Sequence, residues 1–110
     1  MTSFDEREKA YERKFAHDEE LKFKATARRN KLLGRWAADL MGMTGEEVES
    51  YAKAVVLSDL EEPGEEDVFR KIRGDFDNAD VDQSDHQIRR TMEELMVEAV
   101  TQIEQERQQS

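Results

Sequence analysis

Residues 84–103 read SDHQIRRTMEELMVEAVTQI, and their spacing decides the fold class. Ile88, Met92, the neighbours Leu95 and Met96, Ala99 and Ile103 recur at spacings of three and four. At 3.6 residues per turn that places them on one face of a helix. Ser84 followed three residues later by Gln87 marks its start, since each side chain can satisfy the other residue's free backbone N–H.

The same pattern recurs upstream. Leu21, Ala25, Leu32, Trp36 and Leu40 fall on one side of a helix running from about Asp18 to Met41. Val48, Tyr51, Ala52 and Val55 make a second stripe, and Val68, Phe69, Ile72 and Phe76 a third. Ser3 with Glu6 and Thr44 with Glu47 repeat the capping pattern, and Asp18 ahead of Glu19 and Glu20 suits a helix start. Gly42 and Gly74 are the expected stops, because glycine takes the left-handed conformation that ends a helix at little cost. No segment alternates as a strand does. Each helix must bury its stripe on another, so the expected fold is all-α, a four-helix bundle.

Of the 110 residues, 36% are hydrophobic and 40% charged, which predicts a thin core under a charged surface. The formal net charge of −10 disfavours nucleic acid and anionic lipid as partners. The chain has no cysteine, which excludes disulfides and thiolate metal sites. Its longest apolar run, Ala54 to Leu57, is far too short to enter a bilayer. With no apolar leader at the N-terminus, the expected location is the cytoplasm.

The first seventeen residues differ from the rest. Wound as a helix, Phe4, Tyr11 and Phe15 lie within a narrow arc, with Glu8 in the remaining slot. Burying three aromatics contributes roughly 5 to 8 kcal/mol gross, enough to dock this arm in a partner's groove. Periodicity alone leaves a second arrangement open, in which the arm packs on its own bundle. The expected organisation is an arm over residues 1–17 and a bundle over residues 18–110.

Catalytic chemistry is not visible. The five glycines are too dispersed for a phosphate loop, and no nucleophile elbow occurs. His17 and His86 lie far apart, the latter in the first turn of the last helix. The aspartates from Asp75 to Asp85 read as a mobile acidic loop. They miss the calcium-loop register, because Asp80 stands where glycine is needed and His86 where the bidentate glutamate belongs. Lys24, Arg28, Lys31 and Arg35 share a helix face that either binds phosphate or pairs with the chain's own acids. Arg29 falls beside Trp36 inside the apolar stripe, where a guanidinium needs a carboxylate, a carbonyl or an aromatic face. Arg28, Arg29, Lys31 and Trp36 are therefore the candidate contacts for ATP or ADP, should the chain sense nucleotide. No other cofactor and no metal is expected.

Several runs resemble the zeta subunit that inhibits the F-type ATP synthase of alphaproteobacteria. They are Thr2-Ser3-Phe4-Asp5-Glu6-Arg7-Glu8, Lys14-Phe15-Ala16-His17-Asp18-Glu19-Glu20, and Arg28-Arg29-Asn30-Lys31-Leu32-Leu33-Gly34 followed by Trp36-Ala37-Ala38. Glu66-Asp67-Val68 with Arg70-Lys71 continues the likeness. The resemblance implies a four-helix bundle preceded by a mobile N-terminal helical arm that enters a catalytic interface of the synthase head and blocks ATP hydrolysis. Ser3, Phe4, Arg7, Glu8, Tyr11, Lys14 and Phe15 would be its contacts. It further implies a regulatory protein rather than an enzyme, held at the cytoplasmic face of the membrane through the synthase and monomeric when free. The alternatives are a nucleotide-sensing module and a general helical adaptor.

Overall fold

The computed structural model describes residues 19–59 and 64–109. They form four helices: α1 (Glu19–Leu40), α2 (Glu46–Ser58), α3 (Glu66–Asn78) and α4 (Asp85–Gln109). The all-α expectation holds. The Ser3–Glu6 cap and Asp18 lie outside the described residues.

Local chemistry explains most of the helix ends. The first described turn of α1 carries the acids Glu19 and Glu20, a sign of charge that suits the N-terminal end of a helix. α1 closes at Gly42 (φ 79°), where the Met43 N–H donates to the Ala38 carbonyl (2.9 Å) and the Gly42 N–H to that of Asp39 (3.1 Å). Thr44 does not cap α2. Gly45 holds that position at φ 60° without a side-chain bond, and Glu46, Glu47 and Glu49 supply negative charge to the first turn. At α4 the expected box is formed, with Ser84 N–H donating to Gln87 Oε1 (2.7 Å) and Gln87 N–H to Ser84 Oγ (3.1 Å).

Gly74 does not stop α3, which runs on to Asn78. The stop comes at Asp80, whose φ of 57° lets the Val81 N–H reach the Phe76 carbonyl at 2.9 Å. Aspartate tolerates the left-handed region better than most side chains, and Val81 packs against the core to hold the reversal. The expected acidic loop thus shrinks, since Asp75 and Asp77 are helical. Asp75 accepts from Tyr51 Oη (2.6 Å) and Lys71 Nζ (3.1 Å), while Arg73 binds both Asp77 and Asp85. Asp75 ties α3 to α2 and Asp85 ties it to α4, while the Arg73–Asp77 pair lies within α3.

α1 is the axis of the bundle and packs on each of the other three helices. The main core gathers Leu33, Ala37, Val55, Val68, Phe69, Ile72, Phe76, Ile88 and Met92, with Trp36 edge-on to Phe76 at 5.5 Å. A second cluster joins Leu21 and Ala25 to Val100 and Ile103. Leu21 and Ala25 of the expected stripe are buried, but further along α1 the buried face turns away from it. Leu32 and Trp36 are half-buried and Leu40 is exposed, whereas Arg29, Asn30, Leu33, Gly34, Ala37 and Ala38 are buried.

Candidate functional site

The four residues that sequence reasoning grouped for nucleotide go to three different places. Trp36 packs into the main core, as described. Arg29 is 2% exposed. Its Nε–H donates to Asn30 Oδ1 (2.6 Å) and its Nη1 to Glu65 Oε2 (3.0 Å). Part-buried Asp59 at the end of α2 and buried Asp67 at the start of α3 complete this polar cluster, whose Glu65 is exposed. Asn30 bonds to Asp59, and Asp67 is itself buried. Burial lifts the Asp59 carboxyl above its ordinary range. The Asn30 bond and the Arg29 charge pull it back, and Asp67 and Glu65 push it up. The cluster ties α1 to the junction between α2 and α3, and sequence reading had not foreseen Asn30, Asp59, Glu65 or Asp67 as its members.

Arg28 and Lys31 do come together, at a groove of about 590 Å³ on the outer face of α1. Phe23, Ala27, Val56 and Ile103 line its apolar floor, and Lys24, Arg28, Lys31, Glu106 and Arg107 its charged rim. Arg28 spans to α4, bonding Glu106 through two nitrogens (2.8 and 3.0 Å) and Gln102 (2.7 Å). That contact raises the guanidinium's pKa and lowers that of Glu106. Lys24 pairs with Glu20 (2.9 Å), and Arg35 reaches Glu49 on α2 (3.0 Å), which lowers the Glu49 pKa. Part of the basic face therefore does neutralise the chain's own acids. Lys31 has no ion-pair partner among the described residues and acts on Glu49 only at a distance.

Phe23 stands out in this groove. It is 74% exposed, the most exposed large apolar side chain among the described residues, and it sits one turn into α1. Its position off the apolar stripe was the available signal. His86 is exposed rather than packed. Among the described residues no group of histidines and acids is placed to hold a metal ion, and no helix is long and apolar enough to cross a membrane. The arm residues Ser3, Phe4, Arg7, Glu8, Tyr11, Lys14 and Phe15 lie outside the described residues.

A family model described as ATPase inhibitor subunit zeta matches residues 1–102. The chain belongs to that family. A structure solved by solution NMR is similar to it, with 44% sequence identity and a TM-score of 0.71. The likeness covers 78% of this chain and 98% of that one. No curated protein sequence matches. The zeta family is one of inhibitors, so this chain is regulatory and not catalytic. Its fold also explains the motif over residues 28–38: Arg29, Asn30, Leu33, Gly34, Ala37 and Ala38 are the buried positions of α1, and Arg28, Lys31 and Arg35 its charged outer face.

Proposed function

We propose that the chain restrains ATP hydrolysis by an F-type ATP synthase, with residues 1–17 as the inhibitory arm and the bundle from residue 18 onward as its carrier. The arm docks at a catalytic interface of the synthase head through Phe4, Tyr11 and Phe15. Arg7 makes contact alongside them, with Ser3, Glu8 and Lys14 beside it. The observation that carries this reading is the extent of the family match, which begins at residue 1 and takes in the whole arm.

The physical case is that a helix with three aromatics on one seam and charge elsewhere fits a groove better than it fits a core. Three buried rings offset the cost of ordering the arm. The mechanism is steric, and no bond is made or broken on this chain. It acts where the synthase head meets the cytoplasm and stays outside the lipid.

The test is ATP hydrolysis by the isolated catalytic head, with the full chain and with a form starting at residue 18. The full chain is expected to inhibit and the shortened one to stay folded without inhibiting. Equal inhibition by both would remove the arm from the mechanism. A second reading, adenine-nucleotide sensing, draws on the meeting of Arg28 and Lys31 at the α1 groove. It predicts saturable changes at those residues on titration with ATP or ADP. Unchanged spectra at millimolar nucleotide would remove it.

A further inference from the structure

Acids outnumber bases in this chain by 27 to 17, so a basic side chain left without a carboxylate is unexpected. Among the described residues every lysine and arginine but two has a partner. The two are Lys31 on α1 and Lys53 on α2, both exposed. Helical spacing puts them on one side of the molecule. Phe23, Ala27, Lys31 and Arg35 follow one another four apart along α1, and Glu49, Lys53 and Leu57 do so along α2. Arg35 bonds Glu49 (3.0 Å), and Val56 joins Phe23 and Ala27 in the groove, so the two rows run side by side. Lys53 falls between that bond and Val56. Phe23 and Leu57, 74% and 52% exposed, are the most exposed large apolar side chains among the described residues, and both stand on these rows. One strip thus holds the least covered apolar groups and both unpaired cations. Exposed apolar surface edged by charge marks an interaction site.

We propose that this strip is a second contact with the synthase head, and that it sets how tightly the inhibitor is held rather than how completely it blocks. The proposal rests on the reading of the head as the partner. The surface that fits carries an apolar side chain to pack on Phe23 and Leu57, with carboxylates placed for Lys31 and Lys53. Position along the chain favours the same occupant. Residues 1–17 lead into α1 at Glu19, and Phe23 follows roughly 6 Å along the helix axis. The third exposed apolar side chain, Leu40, is roughly 32 Å from Glu19 at the far end of α1. A head that holds the arm is therefore close to the Phe23 end of the strip and remote from Leu40. The strip is too small to bind firmly alone. Linked to the arm on one chain, it meets the head at high effective concentration, and two weak contacts reinforce each other.

The chain has no cysteine, so Asp82→Cys, exposed at the opposite end of α4 from the groove, takes a single fluorescent label. Anisotropy of the full labelled chain, titrated with the isolated catalytic head, gives Kd. ATP hydrolysis in the same samples gives the inhibition reached at saturation. One strip variant combines Phe23→Ser with Leu57→Ser, and the other Lys31→Glu with Lys53→Glu. All four side chains are exposed, so both variants keep the fold. Leu40→Ser with Arg90→Glu makes the same kinds of change at exposed positions outside the strip. The expected result is a Kd raised roughly tenfold or more in both strip variants, with inhibition at saturation unchanged and the control binding as the parent does. Strip variants that bind as tightly as the parent would overturn the proposal, and so would a control that weakens as much as they do. A parent that sediments as a dimer, with strip variants that sediment as monomers, would also overturn it, because a second copy would then cover the strip. The arm is tested separately by Phe4→Ser, Tyr11→Ser and Phe15→Ser together. If inhibition at saturation survives those three changes while the strip variants bind weakly, the arm reading fails and the strip contact stands.

Discussion

A methyl group added at Gly34 would lie 2.6 Å from the Cα of Ala52, closer than any side chain can sit beside backbone. The crossing of α1 over α2 is therefore set by glycine at one helix and alanine at the other. Val55 Cγ2 closes the same space at 3.3 Å. Gly34→Ala gains about 1 kcal/mol of helix propensity but must push the two backbones apart. Overpacking of this kind costs about 1–3 kcal/mol. The expected outcome is a net loss of stability, read as a lower urea midpoint and melting temperature.

Gly74 supplies the contrasting case. It lies inside α3, exposed, with nothing within 4 Å of an added Cβ and no positive φ. Gly74→Ala is expected to stabilise the chain by about 0.5–1 kcal/mol, through a less flexible unfolded state and better helix propensity. Denaturant unfolding of the two variants side by side separates the two glycines.

The contrast also shows what the sequence made legible. The stripes of α2, α3 and α4 could be read because large apolar residues mark them. Val68, Phe69, Ile72 and Phe76 are all buried as spacing predicts. On α1 the expected stripe was right at Leu21 and Ala25, but Leu32, Trp36 and Leu40 drew its second half aside, because apart from Leu33 the face buried there is made of small and polar groups. Only the partner helix reveals that Gly34, Ala37 and Ala38 are hidden, or that Arg29 and Asn30 are buried with their bonds satisfied. Arg28 and Lys31 were legible as basic surface. The groove between them and Ile103 was not, since it joins residues more than seventy positions apart.

The guanidinium of Arg29 should be worth more than its surface counterparts. Replacing it in Arg29→Gln removes donors from buried Asn30 and from Glu65. Hydrogen bonds to charged groups contribute about 1.5–3 kcal/mol, and a loss of about 2 kcal/mol is expected. Arg35→Gln breaks an exposed pair with Glu49 and should cost about 0.5 kcal/mol or less. Chemical denaturation at neutral pH measures both. Equal effects would show that Arg29 gains nothing from its burial.

Asp59 gives a pH signature of definite sign. Its carboxyl is raised above the ordinary 3.8, first by burial and then by Asp67 and Glu65, against the pull of Asn30 and Arg29. A raised folded-state pKa means that the fold favours the protonated acid. The contribution is fully present below pH 3.8 and is lost as pH rises through the folded value, so ionised Asp59 weakens the fold at neutrality. Its position at the C-terminal cap of α2 adds to this, because a negative charge there opposes the helix dipole. Asp59→Asn removes the charge and keeps the shape. At pH 7 its urea midpoint should exceed that of the parent chain, and the gap should close as pH falls toward 3.8. Glu49, Glu66 and Glu106 act in the opposite sense, since arginine bonds lower their pKa values and their contribution fades as pH falls below the ordinary 4.5. They titrate alike in both proteins and cancel in the difference. A gap that stays constant across this range would show that Asp59 is not held above its ordinary pKa.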